Sequence, residues 1–137
     1  MRLLESRKMT QNRGGLIVKA LKNQRVIADK LIVAECFFDR LRGLIGRSVF
    51  ADGEGLLLPR CNDIHMWFMS IPIDVVFLRK KKLPDGATSY TVTSTRENLR
   101  PWRVLPLRDG RASETLELPI GTIAKHAIVA GDELCIS

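Results

Sequence analysis

Disulfides, membrane spans, phosphate loops and internal repeats are all missing from this chain, and each absence removes a class of explanation. The three cysteines, Cys36, Cys61 and Cys135, cannot all pair within one chain, so a disulfide framework is not the organising device. The first residues, MRLLESRKMTQNRGG, lack the apolar core of roughly 7 to 15 residues that marks a secretory leader. Both observations point to a reducing, cytoplasmic setting. No run approaches the roughly 20 consecutive apolar residues of a membrane helix, the longest candidate being interrupted by Glu35. Neither GxGxxG nor a P-loop occurs, so the glycines say nothing of phosphate. Aromatic residues make up only 6% of the chain and do not alternate with its basic residues, which argues against a stacking platform for single-stranded nucleic acid.

What is present is enough for one folded unit. With 137 residues, 45% of them apolar, the chain can bury a core without staples. Residues 1–14 are polar, basic and aperiodic, and read as a flexible arm preceding a single globular domain over 15–137. The net charge of +7 is concentrated in the block Arg79, Lys80, Lys81 and Lys82, and spread through Arg96, Arg100, Arg103, Arg108 and Arg111. Such charges are ordinarily solvated, so nucleic acid is kept as the less favoured partner and a membrane is excluded.

The hydrophobic pattern is mostly that of strands. LIVKALKN and RVIADKLIVA, separated by turn residues Asn23 and Gln24, predict a hairpin. In ECFFDRLRGLIGR the apolar residues Phe37, Leu41, Leu44 and Ile45 recur at helical spacing, with Gly46 as a stop. GLLLPRC follows a turn at residues 51–55, and Pro59 marks that strand's edge or end. IDVVFLR is the strongest strand, its continuous apolar run suiting burial on both faces, and Pro84-Asp85-Gly86 turns the chain back. TVTSTR, RVLPL and Glu114–Leu118 read as shorter strands, PIGTIAKHAI as a short helix beginning near Pro119, and GDELCIS as a closing strand. The fold class is therefore α+β and β-rich, with an antiparallel or mixed sheet curled into a small barrel and one or two short helices.

Chemistry is concentrated in CNDIHMWFMSIPIDVVFL, residues 61–78. Cys61, His65 and Met69 share one face at four-residue spacing and form a soft N and S donor set that would suit Cu(I). They are weak metal candidates, since nothing else in the chain completes the site, and no cofactor is predicted. Cys61 with His65 could also be a nucleophile pair, but without an orienting third residue. His65, Trp67, Met69 and Trp102 are the candidate walls of a ligand cleft, with Arg103 available for an anionic group. Asp74 is expected at the mouth of a buried strand with its carboxylate turned toward a turn or an Arg. Asp74 and Glu117, each an acid inside an apolar strand, could divide acid and base roles with His65 assisting. His126 is expected to cap the last helix in its charged form.

The series RLRGLIGR, GEGLLL, CNDIHMWFMSIPIDVVFL, LRPWRV and LELPIGTIAKHAIVAGDEL resembles the prokaryotic family known as domain of unknown function 192, from about Ala34 to the C-terminus. Two positions depart from its pattern: Ile45 stands where the family has Met, and His65-Met66-Trp67-Phe68-Met69 replaces an aromatic-aromatic-Met-Lys run. The resemblance implies a compact β-rich domain with a helix near its start, and no assigned reaction. Two functions are carried forward. The favoured one is a non-catalytic module binding a small molecule, peptide or partner protein at the cleft around Cys61 to Asp74. The alternative is a small hydrolase- or lyase-like enzyme using Asp74 and Glu117.

Overall fold

The structure is a computed structural model and describes residues 16–34, 50–64, 71–100 and 107–137. Nine strands are described: β1 Leu16–Ala20, β2 Val26–Val33, β3 Glu54–Pro59, β4 Asp63–Ile64, β5 Ile73–Lys82, β6 Thr88–Leu99, β7 Leu107–Arg108, β8 Glu114–Pro119 and β9 Glu133–Ile136, with one helix, α1 Thr122–His126, between β8 and β9. Seven of them close a barrel in the order β1-β2-β3-β8-β5-β6-β9, while β4 and β7 form a separate two-stranded sheet. Every barrel pair is antiparallel except β2 with β3. The expected helix at 37–46 and the N-terminal arm lie outside the described residues.

The predicted hairpin is β1 and β2, Pro59 ends β3, and GDELCIS supplies β9, which pairs with both β1 and β6 and so leaves no open edge in the barrel. The turn at Pro84-Asp85-Gly86 forms with the Ala87 amide donating to the Asp85 carboxylate at 2.9 Å and Gly86 at φ 89°. The basic block is strand rather than loop, because the β5–β6 hairpin continues through Lys82 opposite Thr88. All four of its residues are exposed, and Lys81 is paired with Glu133 at 2.7 Å. Pro119 is the last residue of β8 and not the first of a helix; the helix starts after Gly121, whose φ of 88° makes the corner.

Two apolar layers result from the pleat. All seven barrel strands point side chains into one cluster that includes Leu31, Leu57, Val76, Leu116 and Leu134, and Ile123 and Ile128, in and just after α1, join it. The alternate residues of β3 and β5, with Ile64, Ile71 and Leu99, make a second cluster on the outer side. This double burial explains why β3 and β5 read as nearly continuous apolar runs.

Candidate functional site

Asp74 and Glu117 do not face one another. On the β5–β8 ladder Asp74 is opposite Leu118 and Val75 is opposite Glu117. Directly paired residues share a face and successive residues alternate, so the two acids project to opposite sides of the sheet. Asp74 faces inward, beside Val76 and Leu118, whereas Glu117 faces the outer cluster between Val75 and Leu56. The division of acid and base roles between them therefore has no shared cavity in which to operate.

Asp74 is 1% exposed and its carboxylate is occupied by main chain. Oδ1 accepts from the Asn98 amide at 2.9 Å and Oδ2 from the Ile123 amide at 3.0 Å. The first bond secures a bulge, for β6 advances from Arg96 to Leu99 while β5 advances only from Val75 to Ile73, with Asn98 at φ 55°. The second binds the start of α1, which has no side-chain cap of its own and no acid in its first turn. Asp74 thus ties strand, bulge and helix together. Its partners are backbone amides, where the sequence suggested a turn or an Arg.

The described residues on either side of the binding candidates form a different feature. Ile64 of β4 is paired with Leu107 of β7, and Ile73 of β5 with Leu99 of β6. The described residues flanking 65–70 are therefore laddered, at both ends, to those flanking 101–106. Ile64, Ile71, Ile73, Leu99 and partly buried Leu107 all belong to the outer apolar cluster. His65, Trp67, Met69, Trp102 and Arg103 themselves lie outside the described residues. Cys61 is held nearby, its thiol donating to the Asp63 carbonyl at 2.9 Å and its carbonyl accepting from Thr115 Oγ1 at 2.7 Å. Among the described residues no group of three or more His, Cys, Asp and Glu is placed to hold a metal.

One acid went unnoticed in the sequence. Asp109 is buried, and its Oδ2 accepts from Thr93 Oγ1 at 2.7 Å and Ser94 Oγ at 2.6 Å, while Oδ1 accepts from the Arg111 amide at 2.9 Å. It secures a second bulge of β6, at Thr93 between the pairs Phe77–Ser94 and Leu78–Val92. Burial pushes its carboxyl up, but the hydrogen bonds from Ser94, Thr93 and Arg111 outweigh that and hold it well below the usual carboxylate range. Its only local signal is the Asp109-Gly110 turn dipeptide; the hydroxyl partners are 15 and 16 residues away.

His126 also differs from expectation. It ends α1 but is buried, and burial, followed by Lys125 and Arg25, lowers its pKa below the ordinary imidazole value against a smaller opposing pull from Asp52. It stands with Lys125 in the last turn of α1, where burial disfavours its charged form. Ala127, at φ 49°, closes the helix with a left-handed turn.

The sequence signature of the family "Uncharacterized ACR", domain of unknown function 192, matches residues 16–136. The chain belongs to this family. A curated relative, a UPF0127 protein of Thermococcus sibiricus, is 32% identical over 114 residues, spanning 80% of this chain and 68% of the relative. Two solved structures share the fold. One, from Sinorhizobium meliloti and provisionally described as a transcription regulator, has TM-score 0.72 and 22% identity over 88% of this chain and 92% of its own. The other, a protein of unknown function from Novosphingobium aromaticivorans, has TM-score 0.69 and 22% identity over 88% and 82%. The family barrel is thus shared, while neither structural neighbour carries a reaction to this chain. Among the described residues no helix is long and apolar enough to cross a membrane.

Proposed function

We propose that the chain is a non-catalytic, cytoplasmic binding module that takes a small molecule, peptide or partner protein at the cleft around Cys61 to Asp74, with Trp102 and Arg103 contributing. The observation that carries this reading is the double laddering of the residues flanking 65–70 and 101–106, Ile64 to Leu107 and Ile73 to Leu99, over one apolar cluster. Laddered flanks on a rigid barrel support a binding surface to which the candidates His65, Trp67, Met69, Trp102 and Arg103 contribute. The acid/base alternative loses its support, because Asp74 is saturated by two amides and Glu117 projects to the opposite side. The description of the Sinorhizobium meliloti protein suggests nucleic acid as a partner, but at 22% identity that likeness carries the fold alone.

A thermal-shift screen tests the proposal. Metals, nucleotides, sugars, small acids and peptides would be compared on the wild type and on His65→Ala, Trp67→Ala and Arg103→Ala. A ligand present at about 100 times its dissociation constant stabilises the native state by about 2.7 kcal/mol, a shift of several degrees. The reading requires a shift in the wild type that these variants lose. A shift that all three variants retain would refute the location.

A further inference from the structure

A second polar cavity lies away from the candidates above. It has a volume of about 450 Å³ and lies between β2, the turn before β3 and the end of α1. That is within the roughly 300 to 1,000 Å³ of small-molecule sites. Its β2 wall is made by two register breaks. Leu16 and Val18 of β1 face Leu31 and Ala28, and Val18 and Lys19 face Ala28 and Val26, so β2 carries one extra residue in each interval. The first break turns the consecutive residues Asp29 and Lys30 both outward, where strict alternation would send one of them inward.

Gly53 fixes this arrangement. Its carbonyl accepts from both the Asp29 and the Lys30 amides at 3.0 Å, its φ is 87°, and a β-carbon there would meet Asp29 Oδ1 at 2.7 Å. Facing it, Lys125 is already paired with Asp52 at 3.0 Å. That leaves two cations, Arg25 and Lys30, against one carboxylate, Asp29, and among the described residues none of these three side chains has a hydrogen bond or ion pair. His126 lines the same cavity at 8% exposure, with Nδ1 sealed and lacking a hydrogen-bond partner. A proton on Nδ1 would be a buried donor with no acceptor, so the tautomer protonated at Nε2 is favoured and leaves Nε2 as a donor.

We propose that this cavity binds a small organic acid with one carboxylate and an adjacent hydroxyl or amino group. The carboxylate meets Arg25, Lys30 and the His126 N–H; the hydroxyl or amino hydrogen meets Asp29. The single negative charge of a hydroxy acid matches the one-charge surplus of cations, and the ammonium of a zwitterionic amino acid would pair with Asp29 while its carboxylate meets the cations. An inorganic phosphate dianion would instead bring excess charge against Asp29 and Asp52. The site requires nothing of residues 65–70 or 101–106, so it stands independently of the binding surface proposed above.

Isothermal titration of the full chain with L-lactate, L-serine, acetate and inorganic phosphate decides the matter, at concentrations up to about 10 mM, well above a millimolar dissociation constant. The expected result is saturable binding of lactate or serine in preference to acetate and phosphate. Lys30→Ala and Arg25→Ala should each weaken it about tenfold or more, the loss of one charge-assisted hydrogen bond. Asp29→Ala, which removes the acceptor altogether, should abolish the preference over acetate. All three residues are exposed, so unchanged melting temperatures would show that the losses are not unfolding. Absence of binding by all four probes, preference for phosphate, or binding indifferent to Lys30→Ala and Arg25→Ala would each overturn the assignment.

Discussion

Replacing Asp74 by Ala removes the acceptor of two amides, the buried one of Ile123 and the part-buried one of Asn98. A buried donor left without a partner costs about 1 to 3 kcal/mol, and hydrogen bonds to a charged acceptor lie toward the upper part of that range. The full loss at Ile123 and a smaller one at Asn98, which water can reach, come to about 3 kcal/mol, a large share of the roughly 5 to 15 kcal/mol that stabilises a domain. Asp74→Asn should do little better, because its one carbonyl oxygen can satisfy a single amide and its NH2 group then points a donor at the other. Urea denaturation followed by fluorescence reads the effect directly. With a slope of about 2 kcal/mol/M, the midpoint of Asp74→Ala should fall by about 1.5 M with the slope unchanged. Native-state hydrogen exchange supplies the local signature: the Asn98 and Ile123 amides should lose protection beyond the global decrease. A loss below about 0.5 kcal/mol, or unchanged relative protection at those two amides, would refute the claim that this carboxylate joins the β6 bulge to the helix.

Three other outcomes follow from the same geometry. Asp109 is depressed in the fold, so its contribution is complete above the ordinary carboxylate pKa of about 3.9 and fades as pH falls toward its folded value; the stability gap between wild type and Asp109→Asn should be constant above about pH 5 and narrow below about pH 4. His126 is also depressed, so the unfolded chain takes up its proton first as pH falls through about 6.5, and wild type should lose stability between about pH 6.5 and 5 by more than His126→Gln does. A titration of the His126 ring by NMR should show a midpoint below the ordinary imidazole value. Gly53→Ala combines a left-handed backbone, worth about 1 to 2 kcal/mol, with a contact to Asp29 Oδ1; truncating the acid in Gly53→Ala with Asp29→Ala should restore part of the loss in a double-mutant cycle.

The barrel was legible where structure is local. Apolar runs at Gly55–Leu58 and Val75–Leu78, the Asn23-Gln24 and Pro84-Asp85-Gly86 turns and the closing segment after Gly131 all report on neighbours within a few residues. β6 was seen only as TVTSTR, because its hydroxyl-rich surface lacks an apolar alternation and its two bulges depend on Asp74 and Asp109 from elsewhere. Pro119 suggested a helix start because proline suits that position in general, yet here it completes the β8 ladder opposite Ile73. Glu114–Leu118 alternates polar and apolar residues, yet both of its faces are covered and Glu114, Thr115 and Glu117 are buried. The pairing of Asp74 with Glu117 failed on parity alone: both acids were correctly placed in buried strands, and a register of 74 opposite 118 sends them to different sides. No local pattern specifies that parity. The candidates His65, Trp67 and Trp102 were named from residue chemistry and lie outside the described residues, whose strands are laddered on either side of them.

The most direct test of the binding proposal is amide chemical-shift mapping with a compound that raises the melting temperature, coupled to recovery of that compound after prolonged incubation. The account expects perturbations grouped on residues 61–74 and 99–108, with the compound returned intact. Perturbations confined to Arg25, Lys30 and His126 would place binding only at the second cavity, and a compound returned chemically converted would contradict the claim that the module binds without turnover.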